Sequence, residues 1–310
     1  MSRLTACFLV LPFLANAARA QDLLQEEDQR AVHRVAFSPD GKLLASTGAD
    51  TFVRIWDLET KKQISKLKGH GGEVNGLAFS PDGKTLVSGD VFKVAKVWDV
   101  ATRKEKKSLE LPGPTYNLVY APDGKMVYVG SKESWVYLWN PEADKDAELP
   151  KLRSENEVLG LAVSKDGKVL VHTDGGGAVF LWNTETQELT KQQKHGNTTS
   201  AAAISPDGTV FVTGGGDGSV KQWDMAKGEA VEAFSCPDLD VRSLAYSPDG
   251  KILFVGLADG HVKVVDPATG KVTKDIAAHE SPVVHIAVSA DGKKMATACL
   301  DFSIKLWPVP

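Results

Sequence analysis

Apolar residues along this chain alternate in short runs, and the alternation is rewritten about every 42 residues. The cleanest copy runs from Val32 to Asp57, VHRVAFSPDGKLLASTGADTFVRIWD. It holds three runs with apolar side chains at every second place, the signature of half-buried β-strands. Between the first two runs stands Ser38-Pro39-Asp40-Gly41, a tight turn. Pro39 pre-sets φ, Asp40 bonds its own backbone, and Gly41 accepts positive φ. The third run closes on Trp56-Asp57.

The register persists to the end of the chain. The turn position falls at Pro39, Pro81, Pro122, Lys165, Pro206, Pro248 and Ala290, each followed by Asp-Gly. The closing aromatic position falls at Trp56, Trp98, Trp139, Trp182, Trp223, Val265 and Trp307. Both markers give the intervals 42, 41, 43, 41, 42 and 42, which composition alone does not produce. A fourth run follows each closing position, as in Gln63 to Leu67 and Ala230 to Phe234. No link between units, including the polar stretch Asn140 to Pro150, is long enough for a domain linker. Residues 21–310 therefore read as one body.

A period of 40–45 residues with a Trp-Asp ending resembles the WD-repeat β-propeller family. The pair stands as Trp56-Asp57, Trp98-Asp99 and Trp223-Asp224, and softens to Trp139-Asn140, Trp182-Asn183, Val265-Asp266 and Trp307-Pro308. The resemblance implies an all-β fold: a single seven-bladed β-propeller of four-stranded antiparallel blades. Only three residues follow Trp307, so the last unit has no outer strand of its own and would leave an open edge. The family solution is closure by an N-terminal strand that completes the last blade, and Leu23 to Gln25 is the best candidate. Such propellers host many roles, so the fold alone does not assign one.

The resemblance also implies a buried hydrogen-bonded chain in each blade, running from a turn Asp to a His, a Ser or Thr, and the closing Trp. Two units carry all four: His195, Thr213, Asp217, Trp223 and His279, Thr297, Asp301, Trp307. Unit one has Ser46, Asp50 and Trp56, with Asp28 at the His position. Unit two has His70, Ser88 and Trp98, with Phe92 at the Asp position. Unit six keeps Asp259 but has Val265 for Trp. Units three and four keep only Trp139 and Trp182, with Glu133 and Gly176 at the Asp position. Stability is expected to be highest around the last three units and lowest over residues 111–183.

The N-terminus differs from the repeats. Met1-Ser2-Arg3 is basic, Leu4 to Ala15 is apolar, and Ala18-Arg19-Ala20 is a small-x-small site, so residues 1–20 read as a secretory signal peptide cleaved near Ala20. The apolar run is too short for a membrane span, which needs about 20 residues. The expectation is a secreted or periplasmic protein with no membrane insertion after cleavage. A cytoplasmic scaffold is the alternative if Met1 is not the true start. Removing residues 1–20 takes away Arg3 and Arg19 and no acid, shifting the formal charge from −4 to −6. A mildly acidic body argues against nucleic-acid binding. Cys236 and Cys299 remain; an exported pair allows a disulfide, but their different places in the repeat point to buried free thiols.

Catalytic, cofactor-binding and metal-ligating residues are expected to be none. The histidines outside the repeat pattern (His33, His172, His261 and His285) have no ligand spacing, and no nucleophile elbow or phosphate loop is present. Gly175-Gly176-Gly177 and Gly214-Gly215-Gly216 fall in strand-to-strand turns with no helix after them. Specificity in such a fold lives in the loops. Aligning the units selects His33, Glu73, Asn75, Tyr116, Lys132, Trp135, Glu157, Asp240, Arg242 and Leu300 as partner-binding candidates on one face. Tyr116, Trp135 and Arg242 are residue types enriched at binding hot spots. The reading is an exported, non-catalytic, monomeric scaffold for a protein or peptide. The alternative is an enzyme, or an accessory subunit of one, that uses the propeller channel.

Overall fold

A computed structural model describes residues 22–25, 30–143, 149–236 and 239–310. The proposed signal segment 1–20 and Asp28 lie outside the described residues. The strands form seven antiparallel sheets of four. In blade 1 the order from inner to outer strand is Val32–Phe37, Leu43–Gly48, Val53–Asp57 and Lys62–Leu67. The inner strands of blades 2 to 7 are Val74–Phe79, Thr115–Tyr120, Val158–Val163, Thr199–Ile204, Val241–Tyr246 and Val283–Val288. Each inner strand packs beside the next, and the seventh beside the first, so the ring is closed.

Closure uses the N-terminal strand Asp22–Gln25, which pairs antiparallel with the third strand of blade 7, Leu24 opposite Ile304. Leu24 is buried among Val32, Leu44 and Trp56 of blade 1 and Ala296, Ile304 and Leu306 of blade 7. The two ends of the chain thus share one sheet and one core layer, which leaves no blade with a missing edge.

The Ser-Pro-Asp-Gly turn explains its own recurrence. Gly41 sits at φ +67° and donates its N–H to the Ser38 carbonyl at 2.9 Å. Ser38 Oγ donates to Asp40 Oδ1 at 2.6 Å and accepts the Leu43 N–H at 2.9 Å. The Ser38 hydroxyl in turn holds the Asp40 carboxyl below its usual range. Blade 3 has Ala121 at the Ser position, and only Asp123 remains to accept, from the Lys125 N–H at 2.9 Å. The Asp of Trp-Asp has a similar task at the next turn: Asp57 Oδ1 accepts from the Thr60 N–H at 2.7 Å. Asn140 and Asn183 supply the same acceptor oxygen, which accounts for the softened pairs.

The core is divided into seven layers, each between two neighbouring blades. The closing residue of every blade packs against the blade before it: Trp98 lies with Ala45, Val53 and Ile55 of blade 1, and Trp307 with Phe254, Val262 and Val264 of blade 6. Where Val265 replaces Trp, the layer is filled by Leu253, Leu257 and Cys236, with Tyr246 against them. Cys236 and Cys299 are both free and buried.

Candidate functional site

Every inner strand breaks register with its neighbour at its second residue. In blade 1, Val32 pairs with Gly48 and Arg34 with Thr47, so His33 is an extra residue. The same one-residue bulge falls at Asn75, Tyr116, Leu159, Ser200, Arg242 and Val284. A bulge re-aims the side chain it carries. Here all seven, with Arg34 and Thr198, line one recess of about 340 Å³ at the mouth of the central channel. The residue before each bulge is wholly buried, from Val32 to Val283, so the bulge is anchored on core packing.

The polar groups of this ring are tied to one another. Asn75 Oδ1 accepts from His33 at 2.7 Å, which places the His33 proton on Nδ1. Burial lowers the His33 pKa against the opposing Asn75 bond, so the ring is neutral at pH 7. Arg242 donates to Asp240 at 2.5 Å. Arg34 donates to the carbonyl oxygens of His33 and Tyr116, both at 3.1 Å.

The ten partner-binding candidates separate into groups. His33, Asn75, Tyr116 and Arg242 are bulge residues of the recess. Glu73, Glu157 and Asp240 immediately precede inner strands, and their carbonyls accept the N–H groups of Val91, Gly175 and Ala258, so they stand on the rim of the same face. Lys132 and Leu300 occupy the turns between second and third strands on that rim, both exposed. Trp135 differs. It begins the third strand of blade 3, away from the recess, half-buried against the layer that holds Leu111, Tyr137 and Trp139, with Lys151 Nζ 4.6 Å from its ring centroid. Sequence reasoning missed Leu159, Ser200, Val284 and Arg34, as well as the exposed rim aromatics Phe92 and Phe302. Reading the second residue of all seven inner strands as one column would have found the first three.

The His and Asp residues act inside the blades. In blade 7, His279 bonds Asp301 at 3.1 Å and Thr297 at 2.7 Å, and Trp307 Nε1 donates to Thr297 at 3.0 Å. In blade 5, His195 bonds Thr213 at 2.8 Å and Trp223 donates to Thr213 at 2.7 Å, but Ser219 stands between His195 and Asp217. Trp56 donates to Ser46 at 2.9 Å, and Asp50 pairs with the buried Arg54.

Two blades depart from the expected pattern. Blade 2 does not lack its acid: Asp90, two residues before Phe92, bonds His70 at 2.9 Å, and His70 reaches Ser88 at 2.6 Å. Asp90 lies two positions after Ser88 on one strand and therefore shares its face. Blade 4 uses Asp174 in the same place, accepting from the Asn156 and Ala178 N–H groups at 3.0 and 2.8 Å. His172 fills the Ser/Thr place there and accepts from Trp182 Nε1 at 3.1 Å.

His279, Cys299 and Asp301 bring three potential ligand atoms within 4.8 Å of one another. Burial pushes the Cys299 thiol up to about 12, and its Sγ donates to the Ser281 carbonyl. Asp301 is engaged by His279 and Ser303, so the cluster reads as a hydrogen-bonded brace.

A family model described as the IFT122 first beta-propeller matches residues 19–238, and one described as the IP5P C-F beta-propeller matches residues 191–300. The transcription factor unc-37 of Caenorhabditis elegans is 30% identical over 171 residues, 55% of this chain and 27% of its own length. THO complex subunit 3 of Arabidopsis thaliana is 28% identical over 156 residues, 49% of each chain. The general transcriptional corepressor TUP1 of Saccharomyces cerevisiae is 44% identical over 46 residues, 15% of this chain and 6% of its own length. In each case the match spans about half or less of the relative. Seven four-stranded blades, the recurring Trp-Asp closure and a family model covering most of the described chain agree: this protein belongs to the WD-repeat β-propeller family.

Proposed function

We propose that this protein is an exported, non-catalytic scaffold that captures a protein or peptide at the bulge-lined mouth of its channel. WD-repeat propellers typically serve as protein-interaction scaffolds, and one relative is named as the subunit of a complex. The observation that carries the reading is the ring of seven bulge residues. Their side chains are directed to one recess by backbone irregularities, while the strands beneath them are committed to packing. Tyr116 and Arg242 are the residues there suited to act as anchors. Export rests on the apolar segment after Arg3 and the Ala18-Arg19-Ala20 site.

The test is capture from the exported fraction with immobilised protein, alongside Tyr116→Ala with Arg242→Ala. Loss of a stoichiometric partner from a double variant with an unchanged melting curve supports the reading. Undiminished capture moves the site elsewhere. N-terminal sequencing of exported material should start at Gln21; a chain beginning at Met1 and retained inside the cell removes the export half of the proposal.

A further inference from the structure

Behind the mouth, the channel widens into a second chamber of about 500 Å³, which opens on the opposite face among the Ser-Pro-Asp-Gly turns. Its outer wall is apolar and aromatic: Phe37, Phe79, Tyr120, Tyr246 and Val288, with Pro39 and Pro81 at the edge. Its inner end is polar and carries Arg34, Arg242, His285, Asn117 and Ser200. That size, with an apolar wall facing a polar end, suits a small amphipathic ligand.

The polar end of the chamber is short of partners. Three buried side-chain polar atoms that line this chamber have no hydrogen-bond partner among the described residues: Arg34 Nε, His285 Nδ1 and Tyr246 OH. Arg34 is also uncompensated in charge. Its side-chain bonds are to two main-chain carbonyls, and no described carboxylate pairs with it. Arg54, the other deeply placed arginine of blade 1, is by contrast paired with Asp50. A half-buried cation without a counter-charge is disfavoured, and desolvation draws the Arg34 pKa down to about 10. His285 is held neutral by burial and then by the Arg34 charge, and its bond to the Val35 backbone keeps its one proton on Nε2.

We propose that this chamber binds a monocarboxylate with a hydrophobic body, its carboxylate on Arg34 and its body against the Phe37, Phe79 and Tyr246 wall. The carboxylate supplies the missing counter-charge, and the wall removes the body from water. The site opens on the face opposite the mouth; Arg34 and Arg242 line both recesses, whereas Tyr116 and Asn75 line the mouth alone.

The test is calorimetric titration of the whole protein with three probes: octanoate, octanol and inorganic phosphate. Octanoate is expected to bind one to one, octanol at least about tenfold more weakly, and phosphate weakly or not at all. Arg34→Met should abolish octanoate binding while its melting temperature in the absence of ligand stays equal or rises, because an uncompensated buried charge has gone. Tyr246→Phe, which keeps the wall and removes one unpartnered hydroxyl, serves as a second variant should Arg34→Met fail to fold; it should retain the preference for octanoate over octanol. The proposal is overturned if octanoate and octanol bind alike, if Arg34→Met binds octanoate as the wild type does, or if octanoate does not bind at millimolar concentration.

Discussion

Arg34 of blade 1 donates from Nη2 to the main-chain carbonyl of Tyr116 in blade 3, 3.1 Å away. The bond passes over blade 2 and joins two blades that are not neighbours in the ring. Arg34 lines both the mouth and the inner chamber, together with Ser200, Arg242 and Val284 at the boundary between them. Because the acceptor is main chain, the Tyr116 side chain is left to face the mouth. The channel is in this way two connected compartments: the ring of bulge residues above, and below it a chamber with an aromatic wall and a polar end that carries Arg34, Arg242 and His285.

Closure by the N-terminal strand should govern the stability of the whole ring. Leu24 is 2% exposed and touches both blade 1 and blade 7. Leu24→Ala should cost about 2–4 kcal/mol by transfer and cavity terms, and Leu24→Asp more. Urea unfolding measures both. A loss below about 0.5 kcal/mol, the size of an ordinary surface change, would mean that the strand is not part of the folding unit.

Asp90 and Asp217 invite opposite expectations from sequence and from geometry. Asp217 stands at the family position, yet its oxygen is 3.8 Å from His195, the carboxylate side chain is 40% exposed, and Ser219 carries the bond. Asp90 stands two places early, is wholly buried, and accepts from the Phe92 and Val94 N–H groups as well as bonding His70. Asp90→Ala should cost about 3 kcal/mol, since it leaves His70 and two backbone donors without an acceptor. Asp217→Ala should cost about 1 kcal/mol or less. Chemical denaturation of the two variants decides; equal losses would show that the position in the repeat, rather than the contact, sets the energy.

That pair also marks what the sequence made legible. The period, the blade number and the closing strand all follow from side-chain alternation and turn chemistry, which recur in every unit and average out local noise. The bulges do not. They are a backbone property, one extra residue between two paired ones, and the residues that carry them, from Leu159 to Arg242, share no side-chain character. The Asp90 and Asp174 braces were hidden for a related reason. A strand shows the same face every second residue, so an acid shifted by two still reaches the His or the loop it serves. His172 was hidden because it does the work of a Ser. Trp135, a large aromatic at a normally small position, stands on a third strand, where it lies partly buried against a blade layer instead of lining the recess.

Blade 3 should open before blades 1, 2, 4, 5 and 7. Blades 1, 2, 5 and 7 each join the closing Trp to a Ser or Thr, and blade 4 joins Trp182 to His172. Blade 3 has Val129 in that place, paired across the sheet with Tyr137, and Ala121 in its turn. Native-state hydrogen exchange over Val127–Ser131 and Trp135–Trp139 should run about tenfold or more faster than over the matching strands of blade 2, for a local deficit of about 1–2 kcal/mol. The earlier expectation of a weak region over residues 111–183 thereby narrows to its first half. Blade 4 exchange as fast as that of blade 3 would count against this account.

His172 should make stability fall with acid well above the carboxylate range. It is wholly buried, stacks on Phe180 at 4.4 Å, and burial lowers its pKa to about 3. The unfolded chain takes up the proton near the ordinary value of about 6.5, whereas the folded chain stays neutral until about 3. The stabilisation is complete above the unfolded value and is lost as pH falls toward the folded one, at about 1.4 kcal/mol per pH unit. The buried and turn aspartates, with pKa values held below their usual range, lose their contribution only below about pH 4. The window between pH 6 and pH 4 therefore isolates histidine, with His285 contributing in the same direction from the channel wall. His172→Thr, which restores the hydroxyl found in blades 5 and 7, should flatten the dependence of the urea midpoint on pH across that window by about one proton's worth. A slope identical to that of the wild type would show that His172 is already protonated in the folded state, and the Trp182 bond to its Nδ1 would have to be abandoned.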